Sequence, residues 1–221
     1  MIRLDNKNLI GYKFIDLFAG IGGFHLALNS FGAECVFASE WDKYAAETYE
    51  KNFNLKPHGD ITEIDEKDIS NHDILCGGFP CQAFSIAGKQ KGFEDTRGTL
   101  FFDLARILRE KQPRYFVFEN VKGLLSHDQG NTFRTIITTI DELGYDCQWQ
   151  VLNSKDFGVP QNRERVYIVG HLRGTPRPEV FPLRGGHGNY IKEITRAVPQ
   201  AQRVYDQSGI APSVDTGQGG N

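Results

Sequence analysis

Short apolar runs rich in aromatic and β-branched residues recur along the first three quarters of the chain. They occupy residues 14–18, 35–38, 73–76, 115–118, 147–152 and 165–170. Runs of this length and composition predict β-strands. Stretches with helical spacing of apolar positions lie between several of them, at residues 23–31, 43–53, 99–110 and 132–143. This alternation predicts an α/β fold, a mostly parallel sheet with helices on both faces, whose ligands bind beyond the carboxyl ends of the strands.

The strand–helix pattern ends at about residue 172. The chain then becomes rich in Gly, Pro and Arg, and it finishes in the glycine-rich segment SGIAPSVDTGQGGN. Such composition is typical of linkers and turns. We therefore predict one domain over residues 1–172, followed by a linker and a partial second region over residues 173–221.

Charge is distributed unevenly along the chain, although the net charge is only -3. Residues 1–80 carry 7 Lys and Arg against 13 Asp and Glu, whereas residues 161–205 carry 8 against 3. A polyanion would therefore meet the second half, unless those cations form an ordinary solvated surface. The amino terminus MIRLDNKNLI lacks the apolar block of a signal peptide, and no apolar run is long enough to span a membrane, so we predict a cytoplasmic protein.

The cysteines and histidines show no metal-ligand spacing. Scattered single positions argue against a zinc site or a disulfide framework and favour reduced thiols. We predict no metal and, for most of these residues, structural or exposed positions. The residues concerned are Cys35, Cys76, Cys81, Cys147, His25, His58, His72, His127, His171 and His187.

The first predicted strand runs directly into a glycine-rich loop at residues 18–24, FAGIGGF. Glycines let the backbone turn tightly and let a ligand approach it closely. Glu40 ends the next apolar run, where a carboxylate can accept hydrogen bonds from ribose hydroxyls, and Asp60 follows the same logic one unit later. Because the spacing is not G-x-G-x-x-G, we favour a single nucleoside over a dinucleotide. Trp41 is interpreted either as an adenine-stacking residue or as a core residue.

Chemically reactive side chains lie at the ends of three further predicted strands. Cys81 lies in GGFPCQAFS after the run at 73–76, and a thiolate in an electropositive loop is a strong nucleophile. Glu119 follows the run at 115–118, whereas Arg163 lies just before the run at 165–170 and Arg165 begins it. The pattern indicates that a nucleophile, an acid and guanidinium donors meet at one edge of the sheet.

Four segments in this order resemble the motifs of the DNA cytosine-5 methyltransferases: FIDLFAGIGGF, GGFPCQAFS, ENV and QNRERVYIVG. The stretch CGGFPCQAFSIAGKQKGFEDTRGTLFFD is most similar to the bacterial restriction–modification members, in particular the one that methylates GCGC. The resemblance covers residues 12–172, with a weaker similarity at RVYDQSGIAPSVDTGQGG. It implies a Rossmann-like, S-adenosylmethionine-dependent methyltransferase fold, S-adenosylmethionine as methyl donor and duplex DNA as partner.

The resemblance also implies a role for individual residues. Cys81 would attack C6 of a flipped-out cytosine, Glu119 would act at N3, and Arg165, with Arg163 nearby, would hold O2 and the Cys81 loop. DNA contacts would come from Gln82, Ser85, Lys89 and Arg97. The cofactor would be bound by Phe18, Gly20, Ile21, Gly23, Glu40, Trp41, Asp60, Ile61, Pro80 and Leu100.

Members of the family continue well beyond the last residue of this chain. We therefore expect either a truncation or one subunit of a split enzyme, whose partner supplies the rest of the target-recognition region. Two alternatives stay open from the sequence: a tRNA cytosine-5 methyltransferase, and a catalytically silent binding module.

Overall fold

The computed structural model describes residues 9–80, 100–176 and 180. Six strands and four α-helices lie within one to three residues of the predicted positions, so the predicted element order is confirmed. The strands are β1 Lys13–Leu17, β2 Glu34–Ser39, β3 Ile74–Gly77, β4 Tyr115–Val121, β5 Tyr145–Asn153 and β6 Glu164–Leu172. The helices are α1 Gly23–Ser30, α2 Lys43–Phe53, α3 Leu100–Lys111 and α4 Asn131–Glu142.

The strands form one sheet in the order β2-β1-β3-β4-β6-β5. β1 pairs in parallel with β2 and β3, and β3 pairs in parallel with β4. β5 and β6 are antiparallel because the ten residues between them are too few for the crossover that a parallel pair requires. The mostly parallel sheet is confirmed. The chain passes from β1 to β2 on one side of β1 and then crosses to β3 on its other side, so the ligand crevice is expected outside the carboxyl end of β1.

The chain divides into two compact units, residues 1–118 and residues 119–221. In the first unit, strands β1 and β3 are buried along almost their whole length, as parallel strands covered by helices require. Helix α3 turns one apolar face into this core, which includes Leu104, Ile107 and Leu108. The predicted division at residue 172 stays a prediction, because most of residues 173–221 lie outside the described part of the chain.

The second unit is organised around the β5–β6 hairpin and α4. The ring of Phe133 on α4 meets Trp149 of β5 edge-on, with the ring centroids 5.1 Å apart. At the end of β6, Arg173 contacts the carboxylate of Asp141 and donates to Oδ1 of Asp146 at 3.1 Å. This arginine thereby ties the end of the hairpin to the end of α4.

No helix in residues 9–80 and 100–176 is both long and apolar enough to cross a membrane. The same described residues contain no group of three or more His, Cys, Asp and Glu side chains placed to hold a metal ion.

Candidate active site

The loop after β1 adopts an unusual backbone conformation. Phe18, Gly20 and Gly22 all have positive φ, of 54°, 55° and 96°. Glycine tolerates this region freely, whereas Phe18 is held there against a steric penalty, as is common at binding sites. A Cβ on Gly20 or Gly23 would meet no atom within 4 Å. The loop therefore presents open backbone on which a ligand can lie.

Glu40 fixes this loop to the end of β2. Its Oε2 accepts a hydrogen bond from the Gly20 backbone N–H at 2.7 Å, and its Oε1 accepts one from the Asp42 N–H at 2.8 Å. The side chain is nearly buried. A carboxylate has about four lone-pair positions, so two backbone hydrogen bonds leave acceptor capacity for ribose hydroxyls.

Asp60 belongs to a short segment that lies beside the end of β2, although the sequence predicts no strand there. His58 forms a parallel bridge with Ser39, and its carbonyl accepts from the Glu40 N–H at 2.9 Å. The Ser39 hydroxyl donates to the carbonyl of Gly59 at 2.8 Å. These contacts hold residues 58–60 alongside the end of β2 and bring Asp60 to the region of Glu40.

Apolar side chains complete the candidate cofactor site. Trp41 is 78% exposed and Ile21 is 63% exposed, so the core interpretation of Trp41 is wrong and its indole face is free to stack on a base. Ile61 is buried, Leu100 is partly buried as the first residue of α3, and Pro80 is exposed after β3. Open backbone, a carboxylate with spare acceptor capacity and an exposed indole fit an adenosine-containing cofactor.

In the second unit, two arginines share one carboxylate. Arg165 Nε lies 2.8 Å from Glu119 Oε1, and Arg163 Nη2 lies 4.0 Å from the same oxygen. The pKa of Tyr167 is raised, mainly by burial and also by the negative charge of Glu119. The positive charges of Arg163 and Arg165 offset only part of this rise. Beside this group is a cavity of about 290 Å³, lined by Leu152, Ser154, Phe157, Val159, Arg163, Arg165 and Tyr167. The sequence prediction that an acid and guanidinium donors would meet agrees with this arrangement.

Asn153 is a residue that the sequence interpretation missed. Its Oδ1 accepts from the Arg163 backbone N–H at 3.1 Å, and its Nδ2 donates to Asn162 Oδ1 at 2.6 Å. The Ser154 hydroxyl also donates to the carbonyl of Gln161 at 2.6 Å. These bonds fix the backbone that leads into Arg163 and Arg165. An Asn at a strand end is a signal for such local capping and could have indicated it.

Asp16 is a second residue that was missed. Its side chain is fully buried in β1, two positions before the glycine loop, and neither carboxylate oxygen has a hydrogen-bond partner among the described residues. Burial raises the pKa of Asp16 to about 8; the nearby His25 backbone amide, whose geometry falls short of a hydrogen bond, opposes this rise, and the charge of Glu40 adds to it. A single acidic residue inside an otherwise apolar strand is the sequence signal that could have identified Asp16.

The other predicted site residues lie outside the described part of the chain. The nucleophile Cys81 and the predicted DNA-contacting residues all fall between residues 80 and 100. Their positions and roles stay predictions. They are Cys81, Gln82, Ser85, Lys89 and Arg97.

The mostly parallel sheet and the glycine-loop site together place this protein in the class of methyltransferases with a Rossmann-like fold. The family described as C-5 cytosine-specific DNA methylase matches residues 12–210, and the chain belongs to this family. This confirms the resemblance that the sequence motifs carry.

Individual relatives agree with the family match. The type II methyltransferase M.HhaI of Haemophilus parahaemolyticus is 62% identical over 169 residues, which cover 76% of this chain and 52% of the relative. M.NgoBI of Neisseria gonorrhoeae, another type II methyltransferase, is 59% identical over 165 residues, covering 75% and 52%. A crystal structure of a mutant Spodoptera frugiperda DNMT2 is similar at a TM-score of 0.62 and 28% identity, covering 77% of this chain and 53% of that one. The chain spans about half the length of these relatives.

Proposed function

We propose that this chain carries the catalytic residues of a DNA cytosine-5 methyltransferase of the restriction–modification type. Its reaction transfers a methyl group to C5 of a flipped-out cytosine in duplex DNA. The observation that carries the proposal is the shared Glu119 carboxylate, held 2.8 Å from Arg165 at the end of β4, in a chain that belongs to the cytosine-5 DNA methylase family. We place the reaction in the cytoplasm.

The cofactor of this proposal is S-adenosylmethionine, which would supply an electrophilic methyl group and be left as S-adenosylhomocysteine, a neutral thioether. Glu40 and Asp60 would accept hydrogen bonds from its nucleoside, and Trp41 would stack on its adenine. The backbone of the glycine loop would contact the rest of the cofactor. The contacts that fix Glu40 to Gly20 and Asp42 set this pocket before the cofactor arrives, so little ordering accompanies binding.

Cytosine C5 is too weakly nucleophilic to take a methyl group directly. In the proposed mechanism the Cys81 thiolate adds to C6, and the electron pair of the C5–C6 double bond moves onto C5 and the N3 side of the ring. After C5 has been methylated, its C5–H bond breaks and the proton passes to water. The electron pair of that bond re-forms the C5–C6 double bond, and the C6–S bond breaks to release Cys81 as a thiolate.

Glu119 hydrogen-bonds or protonates the ring at N3, where negative charge develops during the attack. Arg165 contributes in two ways: its Nε fixes the carboxylate of Glu119, and its guanidinium binds the cytosine O2. Arg163 adds positive charge near the same carboxylate. An acid that is already oriented does not have to reorganise when the transition state forms.

The base must leave the helical stack before Cys81 can reach it, and flipping costs a few kcal/mol. Lys89 and Arg97 are proposed to contact phosphates, which supplies affinity without reading sequence. Gln82 and Ser85 are proposed to contact the DNA around the flipped nucleotide. The basic character of residues 161–205 suits the same polyanion.

Covalent trapping tests this proposal. The chain is incubated with S-adenosylmethionine and duplexes that contain 5-fluorocytosine, with and without the carboxy-terminal half of the M.HhaI relative added in trans. The expected result is a denaturation-resistant adduct whose mass maps to Cys81. Cys81→Ser should abolish the adduct and Glu119→Gln should slow it about 100-fold or more, whereas Lys122→Gln, which removes an exposed pair with Glu164, should leave its rate unchanged.

The substrate class is decided in the same experiment by a parallel reaction with tRNA in which cytosine is replaced by 5-fluorocytosine. An adduct with tRNA but not with DNA would replace the proposed substrate. If neither substrate forms an adduct, with or without the added segment, although S-adenosylmethionine binds, the chain is a silent binding module and the proposed reaction is wrong.

A further inference from the structure

Arg106 on α3 makes two short contacts with the segment that follows α2 and a third with its own helix. Its Nη2 donates to the backbone carbonyl of Ile61 at 2.6 Å, and its Nη1 donates to Glu66 Oε2 at 2.6 Å. Its Nε donates to Asp103 Oδ1 on its own helix at 2.9 Å. The side chains of Arg106, Glu66 and Asp103 are all at least two-thirds buried, so these contacts are largely shielded from water.

The carbonyl contact falls on the part of the chain that carries Asp60. Residues Ile61–Glu63 form a single 3-10 turn, in which Asp60 Oδ1 accepts from the Thr62 N–H at 2.9 Å. Such a turn has few hydrogen bonds of its own and is weak in isolation. Its position therefore depends on external anchors, and two are visible: the buried side chain of Ile61 and the guanidinium of Arg106.

Electrostatics supports the same role. Burial raises the pKa of Asp103, its hydrogen bond and charge interaction with Arg106 lower it, and the negative charges of Asp60 and Glu66 raise it. The guanidinium thus lies within the field of three carboxylates. Without it, the three carboxylates would repel one another and push the turn that bears Asp60 away from α3.

We propose that Arg106 is a positioning residue that sets the place of the Asp60–Ile61 turn and thereby the affinity of the site for the nucleoside end of the cofactor. The inference rests on the proposed cofactor site. Arg106 does not touch the cofactor; it acts through the Ile61 carbonyl and the carboxylates beside it.

Calorimetric titration with S-adenosylhomocysteine and with adenosine alone tests the effect on affinity. Arg106→Gln should raise the Kd about tenfold for both ligands, because the misplaced contact belongs to the part they share. Arg106→Lys keeps the positive charge but loses the several fixed donors of the guanidinium group. Its Kd should lie between the values for Arg106→Gln and the wild type. Arg173→Gln is the matched control, since Arg173 also binds two aspartates and a backbone carbonyl, that of Asp141 at 3.2 Å.

Amide hydrogen exchange tests the positioning without any ligand. The Thr62, Glu63 and Ile64 amides, which donate within the turn, should exchange at least tenfold faster in Arg106→Gln and unchanged in Arg173→Gln. Both variants are measured well below their melting temperatures.

The proposal is overturned if these amides keep wild-type rates in Arg106→Gln, or if the two arginine variants weaken ligand binding equally. Should the wild type bind neither ligand, the proposed cofactor site fails, and the exchange rates alone then decide the role of Arg106.

Discussion

The backbone N–H of Gly20 donates to Oε2 of Glu40 at 2.7 Å, which ties the loop after β1 to the end of β2. The second oxygen of the same carboxylate accepts from Asp42. One side chain therefore fixes the two segments between which the nucleoside is proposed to lie. Its structural and ligand-binding roles cannot be separated by deletion, but a nearly isosteric change can weigh them.

Glu40→Gln should raise the Kd for S-adenosylhomocysteine at least about tenfold and lower the free energy of unfolding by about 1–3 kcal/mol. The glutamine NH₂ cannot accept, so one of the two backbone donors loses its partner. Calorimetry and urea unfolding measure the two effects. Glu47→Gln is the control, because Glu47 makes an exposed pair with Lys43 at 3.9 Å; equal effects of both changes would contradict the role of Glu40.

Gly22→Ala should destabilise the protein by about 2 kcal/mol or more. The added methyl would overlap Cε2 of the Phe53 ring, and φ at this position is 96°. Gly59→Ala, where no atom lies within 4 Å of the added carbon, should change the urea midpoint little. The Phe53→Leu change should recover part of the loss in the double variant. Full stability in Gly22→Ala would mean that the loop can move away from Phe53 at no cost.

Trp41→Ala should weaken adenosine binding about tenfold while leaving the free energy of unfolding within about 0.5 kcal/mol. The side chain is 78% exposed, so its removal leaves no cavity. Tyr44→Ala removes a neighbouring aromatic that is 76% exposed and serves as the control in the same titration. Similar losses of affinity in both variants would show that stacking on Trp41 is not the cause.

Asp16→Asn should alter the pH dependence of stability. Because the pKa of Asp16 is raised from 3.8 to about 8, the carboxyl stays protonated in the folded protein while it ionises in the unfolded chain. Unfolding then releases a proton between about pH 4 and pH 8, and this group makes the free energy of unfolding fall as pH rises. The variant should gain stability relative to wild type across that window, by at most about 1.4 kcal/mol per pH unit.

Urea midpoints at pH 5, 6, 7 and 8 measure the difference for Asp16→Asn. Only the slope is informative, because the asparagine amide adds its own constant cost. Parallel curves for wild type and Asp16→Asn would contradict the assignment. Among the described residues, the titratable side chains that interact electrostatically with Asp16 include Cys35, Glu40, Tyr49 and Cys76.

Periodicity alone predicted nearly all of the elements, because the strands of a covered parallel sheet are uniformly apolar and the helices show one apolar face. β4 was predicted too short. It continues to Val121 through Glu119 and Asn120, polar residues whose backbone still pairs although their side chains break the apolar pattern. A pattern of side chains cannot show how far a backbone ladder extends.

The sequence predicted which residues belong to the candidate site better than it predicted the contacts that those residues make. Glu40 was predicted as a ribose acceptor, but its hydrogen bonds to Gly20 and Asp42 depend on how β1 and β2 come together. The anchoring of the Ile61 carbonyl by Arg106 joins residues 45 positions apart, and nothing in the local pattern of either segment signals it. Long-range hydrogen bonds to backbone groups leave no mark on hydrophobic periodicity.

The two tryptophans of the chain occupy opposite environments. Trp41 in the first compact unit is 78% exposed, and Trp149 in the second is 7% exposed. Their emission should therefore differ in wavelength, red-shifted for the first and blue-shifted for the second. Each unit thus carries its own intrinsic fluorophore. Ligand binding to the first unit and unfolding of the second can therefore be followed in a single fluorescence spectrum without an added dye.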